Sequence, residues 1–108
     1  MSWDRTWQVR AHKMRVADLK PIADQVAQDY QGVSVDVEEE ESDCITFFFA
    51  VPTEEDMVTL EVSLYDMGSG NWILSLEGDA SDNGEHWEEA SQLAEDLADA
   101  LDAQPLEL

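Results

Sequence analysis

Residues 44–65 read CITFFFAVPTEEDMVTLEVSLY and contain two strand-like runs joined by a short turn. The first run, residues 44–51, is apolar on both faces apart from Thr46, which is typical of a central strand. In the second run, residues 58–65, apolar residues alternate with polar or aromatic ones, which is typical of a half-buried strand. The turn at 52–56 is too short for a crossover, so we expect an antiparallel hairpin.

Further strands are predicted on both sides of this hairpin. Valines alternate with polar residues from Val33 to Glu38, and apolar residues alternate again from Trp72 to Glu77. The connecting segments 39–43 and 67–71 are rich in turn residues. Together the four runs predict a four-stranded antiparallel meander.

Helices are predicted before and after the meander. The first has an apolar face, with Asp18 as N-cap, Pro21 in the first turn and Gly32 as its stop. The second is capped by Asp82 or Asn83 and stopped by Pro105. The apolar faces consist of Leu19, Ile22, Val26 and Tyr30 in the first helix, and of Trp87, Ala90, Ala94, Leu97 and Leu101 in the second.

The fold class is therefore α+β, in the order α-β-β-β-β-α, with both helices on one face of the sheet. The chain from residue 1 to residue 108 forms a single acidic domain. Its first sixteen residues form a basic, Trp-containing arm or an additional N-terminal strand. The helical spacing of Trp3, Trp7 and Ala11 also fits a helix, but Thr6 to Val9 favours β structure.

The sheet face away from the helices matters most for function. Its predicted residues are Asp36, Glu38, Thr46, Phe48, Ala50, Thr59, Glu61, Ser63, Tyr65, Ile73 and Glu77. An apolar centre with an acidic border is typical of an interaction surface. The alternative is that the N-terminal Trp arm covers this face.

Charge is the strongest compositional signal. The formal net charge is −21, and all five Lys and Arg residues lie within the first twenty positions. From Pro21 to Leu108 there are acidic residues but no Lys or Arg, which excludes strong binding to nucleic acid or to an anionic membrane. Cationic partners are favoured, whereas adaptation to a salt-rich cytoplasm is the alternative explanation of the charge.

Catalytic and metal chemistry have little support, so we expect no enzyme, no cofactor and no metal site. The two histidines, His12 and His86, belong to no nucleophile motif, and no phosphate-binding glycine motif is present. Residues 79–84 resemble half of a calcium loop, but Ala90 stands where a bidentate Glu is needed. Cys44 is interpreted as a small buried hydrophobe at a strand start.

These observations predict a non-catalytic binding protein that occupies a basic surface of a partner protein. An immunity protein, a nucleic-acid mimic or inhibitor, and a chaperone fit equally well. The alternative is a dimerising structural domain from a salt-adapted organism, so a monomer and a homodimer both stay open. With no apolar run in the first twenty residues, we expect a cytoplasmic location. The predicted partner-binding residues are Glu38, Glu39, Glu40, Glu41, Asp43, Phe48, Glu61, Tyr65, Glu88 and Glu95.

Overall fold

Six strands and two helices make up the computed structural model, which describes residues 5–11, 14–79 and 82–106. In chain order they are β1 (Arg5–Arg10), α1 (Val16–Gln28), β2 (Ser34–Glu41), β3 (Cys44–Pro52), β4 (Met57–Gly68), β5 (Asn71–Leu76), α2 (Trp87–Ala100) and β6 (Gln104–Pro105). All strands belong to one antiparallel sheet in the order β2-β3-β4-β5-β1-β6.

The predicted α+β class is confirmed, and the four-stranded meander is present as β2 to β5, with β2 at one edge of the sheet. The order of elements differs from the prediction, because one strand, β1, precedes α1 and another, β6, follows α2. β1 pairs with β5 along its whole length, from Arg5 opposite Leu76 to Arg10 opposite Asn71. β6 is only two residues long and was not predicted, since two residues cannot show a periodic pattern.

Alternation along the strands builds the core. Val62 lies opposite Phe47, and Leu64 lies opposite both Ile45 and Leu74, so that these side chains share one face of the sheet. Both helices contact this sheet and each other, and their buried residues join the same apolar cluster. The second face of the sheet is therefore left without a helix.

The basic N-terminal segment contributes to this core. Trp7 and Val9 of β1 are buried in the cluster, and Thr6 and Gln8 point to the other face. The prediction that the arm covers the second face is therefore wrong for residues 5–11, because their aromatic side chain packs under the helices. Trp3, His12 and Lys13 lie outside the described residues.

The N-cap of helix α1 lies three residues before the predicted cap, Asp18. Arg15, in extended backbone, occupies the N-cap position without a side-chain hydrogen bond, and Asp18 lies in the first turn. Pro21 consequently falls in the second turn, on an exposed side of the helix. Leu19, Ala23, Val26 and Ala27 form the buried face.

Asp82 and Asn83 do not cap helix α2, which begins at Trp87 after His86 and ends at Ala100, before Pro105. Their side chains bond to the main chain of β4. Asp82 Oδ2 accepts the Thr59 N–H at 3.1 Å, and Asn83 Oδ1 accepts the Glu61 N–H at 2.9 Å. The three residues from Gly84 to His86 separate this segment from the start of the helix, so the segment can bond to the sheet.

Candidate functional site

The candidate site is the sheet face that carries no helix, which we call the open face. It includes Thr6, Gln8, Asp36, Glu38, Cys44, Thr46, Phe48, Ala50, Thr59, Glu61, Ser63, Tyr65, Ile73 and Ser75. Residues directly opposite one another in an antiparallel sheet project from the same side, so the register fixes which of them are neighbours.

A row of hydroxyl groups crosses the middle of the open face. Thr46 lies opposite Ser63, Ser63 opposite Ser75, and Ser75 opposite Thr6. The oxygens of Thr46 and Ser63 are 3.5 Å apart. Thr46 is 5% exposed and Ser75 is 9% exposed, because larger side chains stand on both sides of the row. The row can donate and accept hydrogen bonds.

Aromatic and aliphatic side chains flank the hydroxyl row. Tyr65 lies between Cys44 and Ile73, and all three are half-buried. On the other side of the row, Phe48 is half-buried between Asp36 and Glu61. An aromatic ring that is half open to solvent can bury further apolar area when a partner docks.

Carboxylates border this centre at the β2 edge and at the hairpin tip, residues 38–43. Asp36 and Glu38 of β2 are exposed, as are Glu39, Glu40, Glu41 and Asp43. Burial raises the pKa of the Cys44 thiol, and the nearby negative charges of Glu40, Glu41 and Asp43 raise it further. The hairpin tip therefore acts electrostatically on the open face, and Cys44 is a protonated thiol near neutral pH, half-buried there and not in the core.

The ten predicted partner-binding residues fall on two surfaces. Glu38, Phe48, Glu61 and Tyr65 lie on the open face, and Glu41, opposite Cys44, lies at its end. Glu39 lies opposite the core residue Ile45 and therefore projects to the helical side at the hairpin tip. Glu88 and Glu95 lie on α2, on the helical side of the sheet. Glu95 Oε2 is 3.5 Å from Arg5 Nη1, in an ion pair within the chain. These two glutamates therefore belong to another surface.

Thr6, Gln8 and Ser75 on the open face were not predicted as part of it. The first two alternate with Trp7 and Val9, which is the signal that could have placed them. Their position next to β5, however, depends on the insertion of β1 between β5 and β6, and no local pattern predicts that insertion.

Two basic residues, Arg5 and Lys20, make contacts with the acidic body. Lys20 Nζ donates to the Val35 carbonyl and forms ion pairs with Asp24 at 3.2 Å and with Asp36 at 4.0 Å. The Arg5 guanidinium lies 4.9 Å from the centre of the Trp7 ring. Lys20 thus protects part of the outer edge of β2.

Residues 5–11, 14–79 and 82–106 contain neither a metal-binding group of side chains nor a membrane-spanning helix. No group of three or more His, Cys, Asp and Glu side chains within these ranges could hold a metal ion. No helix in them has the length and apolar character needed to cross a membrane.

No family model matches the sequence, and no curated protein is similar to it.

Proposed function

We propose that this chain is a non-catalytic binding protein whose open face docks on a basic surface of a partner protein. One observation carries the proposal. A sheet face with a half-buried aromatic and hydroxyl centre is bordered by carboxylates and is covered by neither helix. Interfaces commonly combine an apolar centre with a polar rim in this way.

We infer a basic partner from the negative charge around the docking surface. Asp36, Glu38 and Glu61 belong to the face itself, and the hairpin tip extends the negative field at its edge. Long-range attraction of this kind speeds encounter with a cationic surface, whereas contacts of the aromatic centre slow dissociation. An inhibitor, an immunity protein, a nucleic-acid mimic and a chaperone would all work by this mechanism.

A second copy of the chain is the competing occupant. The open face of one molecule could pack against that of another, which would make the protein a dimerising structural domain. The same carboxylates oppose this pairing, since a net charge of −21 repels an identical molecule at low ionic strength. The basic partner is therefore favoured in ordinary buffer.

The test separates attraction from docking. A basic protein captured from host lysate at about 0.1 M salt, and released at about 0.5 M, is purified and its binding rates are measured. We expect Tyr65→Ala to raise the dissociation rate about thirtyfold, as loss of an interface aromatic anchor does. Replacing Glu39, Glu40 and Glu41 by Gln should lower the association rate and weaken its salt dependence.

A matched control removes three charges from the helical side, as Glu88→Gln, Asp99→Asn and Asp102→Asn. If this control slows association as much as the hairpin variant, only the net charge attracts the partner. If Tyr65→Ala, folded as judged by circular dichroism, dissociates at the wild-type rate, the open face is not the docking surface. Self-association in 0.1 M salt, seen by sedimentation, would favour the second copy instead.

A further inference from the structure

A cleft lies on the helical side of the sheet, where α1 has ended and α2 begins. It consists of two depressions of about 470 Å³ and 270 Å³ that share Val51 and Glu89. The larger one lies between the β3–β4 turn and the start of α2, and the smaller one lies between Tyr30 and α2. The size of the larger depression is in the range of small-molecule sites.

The floor of the cleft is the uncovered end of the core. Val51 and Val58 are opposite each other in the register and project towards the helices. Phe49 and Leu60, two residues further along the same strands, project in the same direction. Phe49 and Leu60 are fully buried, whereas Val51 and Val58 are only half-buried. The helices cover this end only in part: α1 stops at Gln28, and the first turns of α2, which starts at Trp87, form one wall of the cleft.

Carboxylates stand on two walls of this apolar floor. Glu54 belongs to the β3–β4 turn, and Glu88 and Glu89 belong to the first turn of α2. Among the described residues, His86 is the basic side chain that lines the larger depression, and neither depression is lined by Lys or Arg. Anionic ligands would be repelled. An inorganic cation would leave the valines and Pro52 unused, and a neutral hydrocarbon would leave the carboxylates unused.

We propose that this cleft binds a small aliphatic diamine or polyamine. Its methylene chain lies on Val51, Pro52 and Val58, and its ammonium groups pair with Glu54 on one wall and Glu89 on the other. The cleft is on the opposite side of the sheet from Phe48 and Tyr65, so this site is independent of the proposed partner surface.

The test uses 1,6-hexanediamine as the probe and methyl NMR of the full chain as the readout. In about 0.3 M KCl, where diffuse attraction is strongly screened, we expect saturable one-to-one shifts confined to the methyl groups of Val33, Val51, Val58 and Leu93. Glu54→Gln and Glu89→Gln should each weaken binding about threefold, as loss of one exposed ion pair does.

Asp99→Asn is the matched control, because it removes one exposed charge from α2 outside the cleft. Wild-type affinity in this control and in Tyr65→Ala would support a localised site. The proposal is overturned if Asp99→Asn weakens binding as much as Glu89→Gln does. It is also overturned if the shifts spread over the acidic surface, or if MgCl2 at equal ionic strength reproduces the methyl shifts.

Discussion

Asn83 shows how much one polar residue can contribute to this fold. Its side chain is fully buried, and its Nδ2 donates to the carbonyls of Glu61 at 2.8 Å and Glu77 at 2.9 Å. Together with the bond that it accepts from the Glu61 N–H, it continues the sheet where β5 has ended. The sequence suggested a helix cap instead, because Asn before a helical pattern usually acts as one.

Asn83→Ala should therefore be strongly destabilising. It removes the side-chain partner of three main-chain groups, the Glu61 N–H and the carbonyls of Glu61 and Glu77. We expect a loss of about 3 kcal/mol in the free energy of unfolding, measured with urea. Asp82→Ala is the matched control, since the Asp82 side chain is only half-buried and accepts one hydrogen bond, from the Thr59 N–H. Equal shifts of the urea midpoint in the two variants would contradict this role of Asn83.

Glycine at position 84 is required by the same segment. A Cβ atom there would lie 2.6 Å from the carbonyl oxygen of Gly78, which is closer than such atoms approach. We expect Gly84→Ala to lower the thermal midpoint by several degrees, at about 1–3 kcal/mol of strain. Ala100→Gly, at an exposed position of α2, is a control in which no clash arises; a smaller effect in Gly84→Ala than in this control would refute the close approach.

At the scale of elements, sequence periodicity predicts the regular strands but does not predict features that depend on tertiary contacts. The strands β2 to β5 follow from alternation of period two, since one face of each is buried. The helix starts were misplaced because neither Arg15 nor His86 makes a side-chain cap bond. β1 fitted both a strand and a helix, and only its pairing with β5 decides between them.

The candidate site was predictable to a similar degree. Alternation placed Phe48, Glu61 and Tyr65 on the face away from the core. Glu88 and Glu95 were grouped with them on charge alone, although a helix that covers one sheet face cannot present its polar side to the other. The cleft was not foreseen, because it depends on where the helices stop short of the sheet.

The contact between the end of α1 and α2 should be visible in alkaline titration. The Tyr30 hydroxyl donates to Asp96 on α2. Burial and the Asp96 carboxylate raise the pKa of Tyr30 to about 12, from an ordinary value of about 10. The unfolded chain thus loses this proton first, so the associated stability is fully present below about pH 10 and is lost as the pH rises towards 12.

Tyr30→Phe should accordingly flatten the decline of stability between about pH 10 and pH 12, measured by urea unfolding at each pH. The change in slope is compared with that of Tyr65→Phe. Burial raises the pKa of Tyr65 too, but Tyr65 lies on β4 and makes no bond to either helix, so this variant shows the effect of burial without a bond to a helix. A decline that is unchanged in Tyr30→Phe would mean that the Tyr30–Asp96 bond is not formed in solution.

At the scale of the whole molecule, the charge is far from balanced within the fold. The ion pairs among the described residues have Arg5 and Lys20 as their cations, whereas the chain contains 26 acidic residues. Most carboxylates are therefore solvated and repel one another, which disfavours the compact state. Added salt should raise the melting temperature, and the way it does so distinguishes the two explanations of the charge.

If the acidic surface serves to attract a partner, salt acts by screening alone. The screening length falls from about 10 Å at 0.1 M to about 3 Å at 1 M, so the melting temperature should rise with KCl and level off by about 1 M. Replacing Glu39, Glu40 and Glu41 by Gln should then reduce the rise. A melting temperature that keeps climbing in several molar KCl would instead indicate adaptation to a salt-rich cytoplasm, and the search for a function would move from the hairpin tip to the cleft.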